Sequence, residues 1–217
     1  MAFGESLRDN RPMTDGTTRQ WFDVASEGFL AVAGQVRRDQ LDRPGLGEWD
    51  VRSLLGHAAR AFATIETYLG QPAGDDARVD SAADYFRAAR AGLADPAAVT
   101  ERGRDAGRAL GDDPGTAVAE LGQRVRALVA DTSDDTVLGT PVGPMRLIDY
   151  LPTRAFELTV HGIDLARAIG LPLPGELASA ARPALRLCFD IADDDLAAPL
   201  LMAPTGRQPL PDGFSVL

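Results

Sequence analysis

The sequence predicts an all-α protein built on a four-helix bundle, and three observations support this fold class. Apolar residues recur at helical spacing through several long stretches, aspartates that suit helix N-caps precede three of them, and only one short segment reads as strands. The 217 residues, 45% of them hydrophobic, suffice for one sizeable core. We expect residues 1–170 to form the bundle and residues 171–217 to add a short helical extension with a Pro-rich tail.

The first half of the chain shows three helical stretches. The first is predicted over Asp15–Leu41, where an Asp-Arg-Pro-Gly stretch ends it. Asp50 suits the N-cap of the second helix, which carries apolar residues to the core as far as Leu69. A further helix is predicted over Ala82–Leu93.

The middle of the chain contains two more capped stretches and a candidate hairpin. Asp95 and Asp113 each precede a proline, a residue favoured in the first helical turn. The segments that follow form either one interrupted helix or a close pair. Thr136–Met145 is predicted to form a small hairpin that leads into the next helix.

The last part of the chain is predicted to hold one long helix, a break and one further helix. The long helix covers Leu147–Ile169, with Pro152 in its first turns, where a missing N–H costs least. Leu171–Gly175 contains two prolines and breaks the chain, and a helix over Glu176–Ala192 follows. An acidic cluster and a Pro-rich tail complete the sequence.

Charge and composition exclude several classes of function. The net charge is −10 and no basic stripe is present, which argues against a nucleic-acid partner. All basic residues are Arg, so Schiff-base chemistry and a lysine-dependent phosphate loop are excluded. The single cysteine, Cys188, lies in an apolar run and is predicted to be buried and inert. Since no signal-peptide core or membrane-spanning run is found, we expect a cytoplasmic protein without a membrane partner.

The two histidines of the chain both lie where a metal site would need them. His161 follows Glu157 by four residues, so the two side chains share one face of a predicted helix. His57 lies on another predicted helix and can complete the set. Two imidazoles and one carboxylate leave positions open for water or substrate, as in catalytic metal sites. The alternative is that Glu157 and His161 form an ordinary polar pair on one helix and that His57 is a packed or capping residue.

Three further polar residues are candidates for the same site. Asp164 either accepts the second ring N–H of a ligating imidazole or pairs with Arg167 on its own helix. Arg154 either holds a substrate carboxylate in a bidentate fork or neutralises Glu157 or a nearby aspartate. Arg60 is a second candidate for substrate binding.

Other metal chemistries fit the sequence less well. The chain lacks the His-Glu-x-x-His of zinc peptidases, and it lacks the paired Glu-x-x-His motifs of di-iron bundles. A non-haem iron oxygenase has the correct ligand count of two histidines and one carboxylate, but the helical setting argues against it.

Two segments resemble the signatures of a known family. Trp49–His57 (WDVRSLLGH) and Arg154–Ala166 (RAFELTVHGIDLA) are similar to those of the mycothiol-dependent maleylpyruvate isomerase N-terminal domain, a branch of the DinB-like superfamily. The resemblance extends over residues 15–170, and Thr205–Ser215 also resembles actinobacterial members. It implies a DinB-like four-helix bundle that binds zinc, or another divalent metal, through the residues at His57, Glu157 and His161.

The resemblance also implies a mechanism. A low-molecular-weight thiol, mycothiol in actinobacteria, would bind at the open metal position, lose its proton and attack a small electrophile. Residues 171–217 are too few for the separate C-terminal domain of the isomerase. We therefore expect a thiol S-transferase or a related thiol-dependent isomerase rather than maleylpyruvate isomerisation itself.

The alternatives to such an enzyme are a non-catalytic metal-binding stress or interaction module, and a hydrolase that uses bound water. DinB-like bundles often form dimers, so the resemblance also allows a homodimer.

Overall fold

In the computed structural model, residues 15–74, 78–92 and 95–217 are described, and they are mostly helical. The α-helices are α1 (Asp15–Ala33), α2 (Val51–Leu69), α3 (Ala82–Gly92), α4 (Pro96–Ala109), α5 (Pro114–Asp131), α6 (Leu147–Ala168), α7 (Gly175–Ile191) and α8 (Asp194–Met202). Two antiparallel strand pairs join them, β1 (Pro44–Leu46) with β2 (Trp49–Asp50) and β3 (Val137–Thr140) with β4 (Gly143–Arg146). The all-α fold class is therefore confirmed.

Helices α1, α2, α5 and α6 close into a ring in which each packs against two neighbours. Large apolar side chains from all four meet in the middle of this ring. Phe62 of α2 lies edge-on to Phe22 of α1, with ring centroids 6.3 Å apart, and both rings are fully buried. Val125 of α5 and Leu158 of α6 are fully buried as well. Since each such side chain contributes roughly 1.5–3 kcal/mol on burial, this core holds the ring together.

The predicted aspartate caps and the predicted hairpin are confirmed. The segments after Asp95 and Asp113 form two separate helices, α4 and α5. α4 packs on the outside of α2, and α5 joins the bundle. Each cap carboxylate accepts a backbone N–H of the first helical turn: Asp50 from Ser53 at 2.7 Å, Asp95 from Ala97 at 3.1 Å, and Asp113 from Thr116 at 3.2 Å.

The prediction that the first helix reaches Leu41 was wrong, because α1 ends at Ala33. Beyond Ala33 the chain turns, and the buried side chain of Gln40 fixes the turn from both sides. Its amide N–H donates to the carbonyl oxygen of Ile169 at 3.2 Å, and its amide oxygen accepts the N–H of Arg37 at 2.9 Å. The Ile169 carbonyl lies at the end of α6 and has no partner within that helix. The turn therefore docks the end of α6 rather than prolonging α1.

Helix α7 packs against α1 and α6 through one leucine. Leu177 is fully buried and fits against two glycines, Gly28 of α1 and Gly162 of α6. A Cβ at Gly28 would lie 2.8 Å from Leu177 Cγ, so no larger residue fits there without a shift. The C-terminal residues thus share the hydrophobic cluster of the bundle. The domain division at residue 170 stays a prediction.

The acidic cluster and the Pro-rich tail contain a helix that the sequence analysis missed. Asp193 is the N-cap of α8, and its carboxylate accepts the N–H of Leu196 at 3.3 Å. Cys188 on α7 is half-buried rather than buried, and its partial burial raises the pKa of its thiol. The predicted end of the third helix, Leu93, lies outside the described residues. Within the described ranges, no helix combines the length and the apolar character needed to span a lipid bilayer.

Candidate metal centre

The two histidines and Glu157 come together where α2 faces α6. One ligand atom from each of His57, Glu157 and His161 lies within 4.8 Å of the others. Glu157 and His161 are one turn apart on α6, and His57 projects from the neighbouring α2. The two imidazole rings meet edge to face, with centroids 4.8 Å apart. The three predicted ligands therefore converge from positions about a hundred residues apart in the sequence.

His161 lies between two carboxylates, one at each ring nitrogen. Its Nε2 is 3.2 Å from Glu157 Oε2, and its Nδ1 is 3.3 Å from Asp164 Oδ2. Donation of the Nδ1–H to Asp164 leaves Nε2 as the nitrogen that faces the site. Asp164 pairs with His161, and the described residues include no ion pair between Asp164 and Arg167. Of the two sequence-based interpretations of Asp164, the geometry favours the one that orients the imidazole.

The three groups hold shifted pKa values before any metal binds. Burial alone would lower the pKa of His161, but hydrogen bonds to Asp164 and Glu157 raise it to about 9. Burial alone would raise the pKa of Glu157, but the His161 hydrogen bond and the charges of His161 and Arg154 lower it to about 2. Burial and the charge of His161 lower the pKa of His57 to about 4. At neutral pH a metal ion would find an ionised carboxylate and a neutral His57, and it would displace one proton from His161.

The residues present fit a divalent metal ion. His57 Nδ1 is buried and has no hydrogen-bond partner among the described residues. Such an orphaned polar atom costs about 1–3 kcal/mol, and bonding to a metal or a ligand would remove that cost. Two imidazole nitrogens and one carboxylate oxygen are the donor set of catalytic zinc and related metal sites. The side chains of Glu157 and His161 keep 22% and 14% of their surface exposed, so these two residues are only partly buried.

Trp49 is a residue of this site that the sequence analysis did not single out. Its indole stacks on the His57 ring, with centroids 4.3 Å apart and planes 32° apart, and it meets the His161 ring in a T-shaped contact with centroids 6.5 Å apart. The indole N–H donates to the carbonyl oxygen of Thr100 at 3.0 Å. The available signal was its position just before the Asp50 cap, since residues there commonly pack back on the first turns of the helix.

Arg154 is a buried cation next to the centre, with only 7% of its surface exposed. Its guanidinium donates to the hydroxyls of Thr153 at 2.9 Å and Thr64 at 3.3 Å. It also lies over the rings of Tyr150 at 4.8 Å and Tyr85 at 5.6 Å, which gives cation–π stabilisation. Among the described residues, no carboxylate lies within 4.0 Å of this guanidinium. The predicted neutralisation of Glu157 therefore acts through space and not through an ion pair.

Arg60 flanks the site from the other helix. It is half-buried on α2, and its charge helps to lower the pKa of His57. Within the described ranges its guanidinium makes no hydrogen bond or ion pair. Both arginine candidates for substrate binding therefore lie near the metal ligands, and neither is paired with a carboxylate of the described chain. Helical spacing explains this: His57, Arg60 and Thr64 share one face of α2, as Arg154, Glu157 and His161 share one face of α6.

Asp164→Asn should weaken metal binding by roughly 10–100-fold, because partners that orient a ligating imidazole typically have effects of that size. The asparagine retains the shape of the side chain and loses the charge that holds the Nδ1–H. Competition with a chelator measures the affinity. Asp149→Asn, a substitution in the first turn of the same helix, where Asp149 pairs with Arg146, is the control and should leave the affinity unchanged. Wild-type affinity in Asp164→Asn would contradict the assigned role.

Comparison with protein families gave a match. The family model described as the mycothiol maleylpyruvate isomerase N-terminal domain matches residues 8–166, a range that contains all three candidate ligands and Asp164. Searches of the curated proteins and of the solved structures gave no match. Since the family match covers most of the sequence and the described residues have the DinB-like all-α fold, the chain belongs to the mycothiol maleylpyruvate isomerase N-terminal domain family.

Proposed function

We propose that this protein is a metal-dependent enzyme that activates mycothiol, or a similar low-molecular-weight thiol, for attack on a small electrophile. The reaction would be of the thiol S-transferase or isomerase type, with zinc as the first candidate for the metal. One observation carries the proposal: a candidate centre of two histidines and one carboxylate, with partly exposed side chains, lies in a chain of the mycothiol maleylpyruvate isomerase N-terminal domain family.

Among the described residues, neither a lysine nor a cysteine is available at this centre as a nucleophile. Lys is absent from the sequence, and Cys188 lies on α7 with a thiol whose pKa is raised by burial. The attacking group must therefore come from outside. A divalent ion in the site would supply Lewis acidity, which lowers the pKa of a thiol as it lowers that of water. Sulfur is a soft ligand that suits zinc, so a thiol is favoured over water as the activated group.

The surrounding residues have assignable parts in such a reaction. Asp164 would hold the His161 ring with Nε2 toward the metal, and Glu157 would supply the anionic ligand. We further propose that Arg154 and Arg60 bind the electrophile through an anionic group. Arg154 is buried with hydroxyl and ring partners only, so an anion of the substrate would complete its environment. The homodimer and the cytoplasmic location stay predictions.

Cobalt-substituted protein tests the proposal directly. Addition of mycothiol at millimolar concentration should add a thiolate-to-cobalt charge-transfer band in the near ultraviolet. The zinc protein should accelerate conjugation of mycothiol to epoxide or halide electrophiles, and metal-free protein should not.

Other outcomes would favour the alternatives. Turnover of esters or amides without thiol would support a hydrolase that uses bound water. A spectrum unchanged by mycothiol, with no accelerated conjugation or hydrolysis, would support a non-catalytic metal-binding module.

A further inference from the structure

The two histidines of the candidate centre are held in different ways. His161 is oriented by the carboxylate of Asp164, as ligating imidazoles usually are. His57 has no such partner: the described residues provide no hydrogen bond to its ring, and its Nδ1 is buried without one. The orientation of the His57 ring must therefore come from packing. The indole of Trp49, stacked on this ring at 4.3 Å, is the flat surface available for that purpose.

Trp49 is itself fixed by elements outside the metal-binding helices. It is the first residue of β2 in the β1–β2 hairpin, where it pairs with Leu46. Its indole N–H donates to the Thr100 carbonyl oxygen of α4 at 3.0 Å. An indole with one hydrogen bond and a paired backbone has little freedom to tilt. Trp49 can therefore transmit a fixed orientation to His57.

Helix α4 approaches the indole so closely that only glycine fits between them. A Cβ at Gly103 would lie 2.6 Å from both Cε2 and Nε1 of Trp49 and 2.8 Å from Cζ2. These indole atoms are the three nearest neighbours of that added carbon. Glycine inside a helix costs about 1 kcal/mol relative to alanine, so its presence here is opposed by helix propensity. The close approach of α4 to Trp49 accounts for it.

We propose that Trp49 is a positioning residue that sets the orientation of the metal ligand His57, and that Gly103 of α4 sets the position of Trp49. The inference rests on the metal centre of the proposed function and not on its thiol chemistry. It gives α4, which contributes no candidate ligand, a defined part in metal binding. It also explains why a ligand without a carboxylate partner can be held in one orientation.

A double-mutant cycle tests whether Gly103 acts on His57 through Trp49. In Gly103→Ala the added methyl group should displace the indole and weaken zinc binding by about tenfold, an effect of the size seen for residues that orient a ligand. In Trp49→Leu the same substitution at Gly103 should change the affinity less than about twofold, because the smaller side chain leaves room. Gly115→Ala in α5 is the matched control, since a Cβ there meets only ordinary contacts at 3.6 Å or more.

Histidine NMR gives a readout that needs no metal. The chain has two histidines, so their ring protons can be assigned by substitution. The His57 ring signals should carry a ring-current shift from Trp49, and Gly103→Ala should change it. An unchanged His57 shift in Gly103→Ala, or an equal loss of zinc affinity with and without Trp49, would overturn the proposal. A wild-type protein that binds no zinc would instead overturn the proposed function, and the NMR comparison would still decide the contact.

Discussion

His161→Ala is expected to leave the protein unable to retain a metal ion. The substitution removes one nitrogen donor and frees Asp164 from its partner, so that Glu157 and His57 alone face the ion. Zinc sites with four protein ligands bind with about 10–16 kcal/mol, so the loss of one ligand should weaken binding by roughly a hundredfold or more. Elemental analysis after dialysis against a chelator measures the metal that remains.

The fold should survive this change, which makes the result interpretable. His161 lies at the edge of the core, with 14% of its side chain exposed, and the apolar contacts of α6 do not depend on it. Circular dichroism should show unchanged helix content. Arg167→Ala, on the exposed side of the same helix, should retain metal like the wild type. One full equivalent of metal in His161→Ala would remove this residue from the ligand set.

Gly56→Ala should lower the free energy of unfolding by about 1–3 kcal/mol, the usual cost of forcing atoms into a close-packed site. Gly56 of α2 faces Gly107 of α4, and the two backbones touch. A Cβ at Gly56 would overlap the backbone nitrogen of Gly107, and a Cβ at Gly107 would lie 2.7 Å from the carbonyl oxygen of Arg52. Because both neighbours are backbone atoms, the helices would have to separate. Urea or thermal unfolding measures the loss.

The sign of this effect separates crowding from helix propensity. Alanine is the better helix former by about 1 kcal/mol, so Gly115→Ala, which meets no close atom, should be neutral or stabilising. Equal stabilisation by Gly56→Ala would mean that α2 and α4 do not approach each other at this point.

Periodicity and capping predicted the helices well, because both are local signals. Asp50, Asp95 and Asp113 each cap a helix where the sequence placed one. The end of α1 was misplaced because the apolar pattern continues through Val36, while the turn is fixed by the contact of Gln40 with Ile169, more than a hundred residues away. Long-range contacts of this kind leave no local pattern. The α8 helix was missed because Pro199 and its neighbours read as a tail.

The sequence could predict the candidate ligands of the site but not the aromatic side chains that surround them. The spacing of Glu157 and His161 follows from helix geometry, and the shortage of histidines pointed to His57. The stack of Trp49 on His57 depends on how a short hairpin turns the chain into α2, which periodicity cannot specify. The partners of Arg154 were likewise hidden, because Tyr85 reaches it from α3, a helix that has no fixed spacing to α6.

The packing of α1 against α6 has a consequence for how the chain is made. About a hundred residues separate the two helices, and at roughly 5–20 residues per second α1 waits some 5–20 s for its partner during synthesis. Throughout that time the face of α1 that packs against α6 stays uncovered, and the nascent chain is exposed to aggregation. Glu157 and His161 arrive with α6, so the candidate metal centre can form only after α6 has packed against α2.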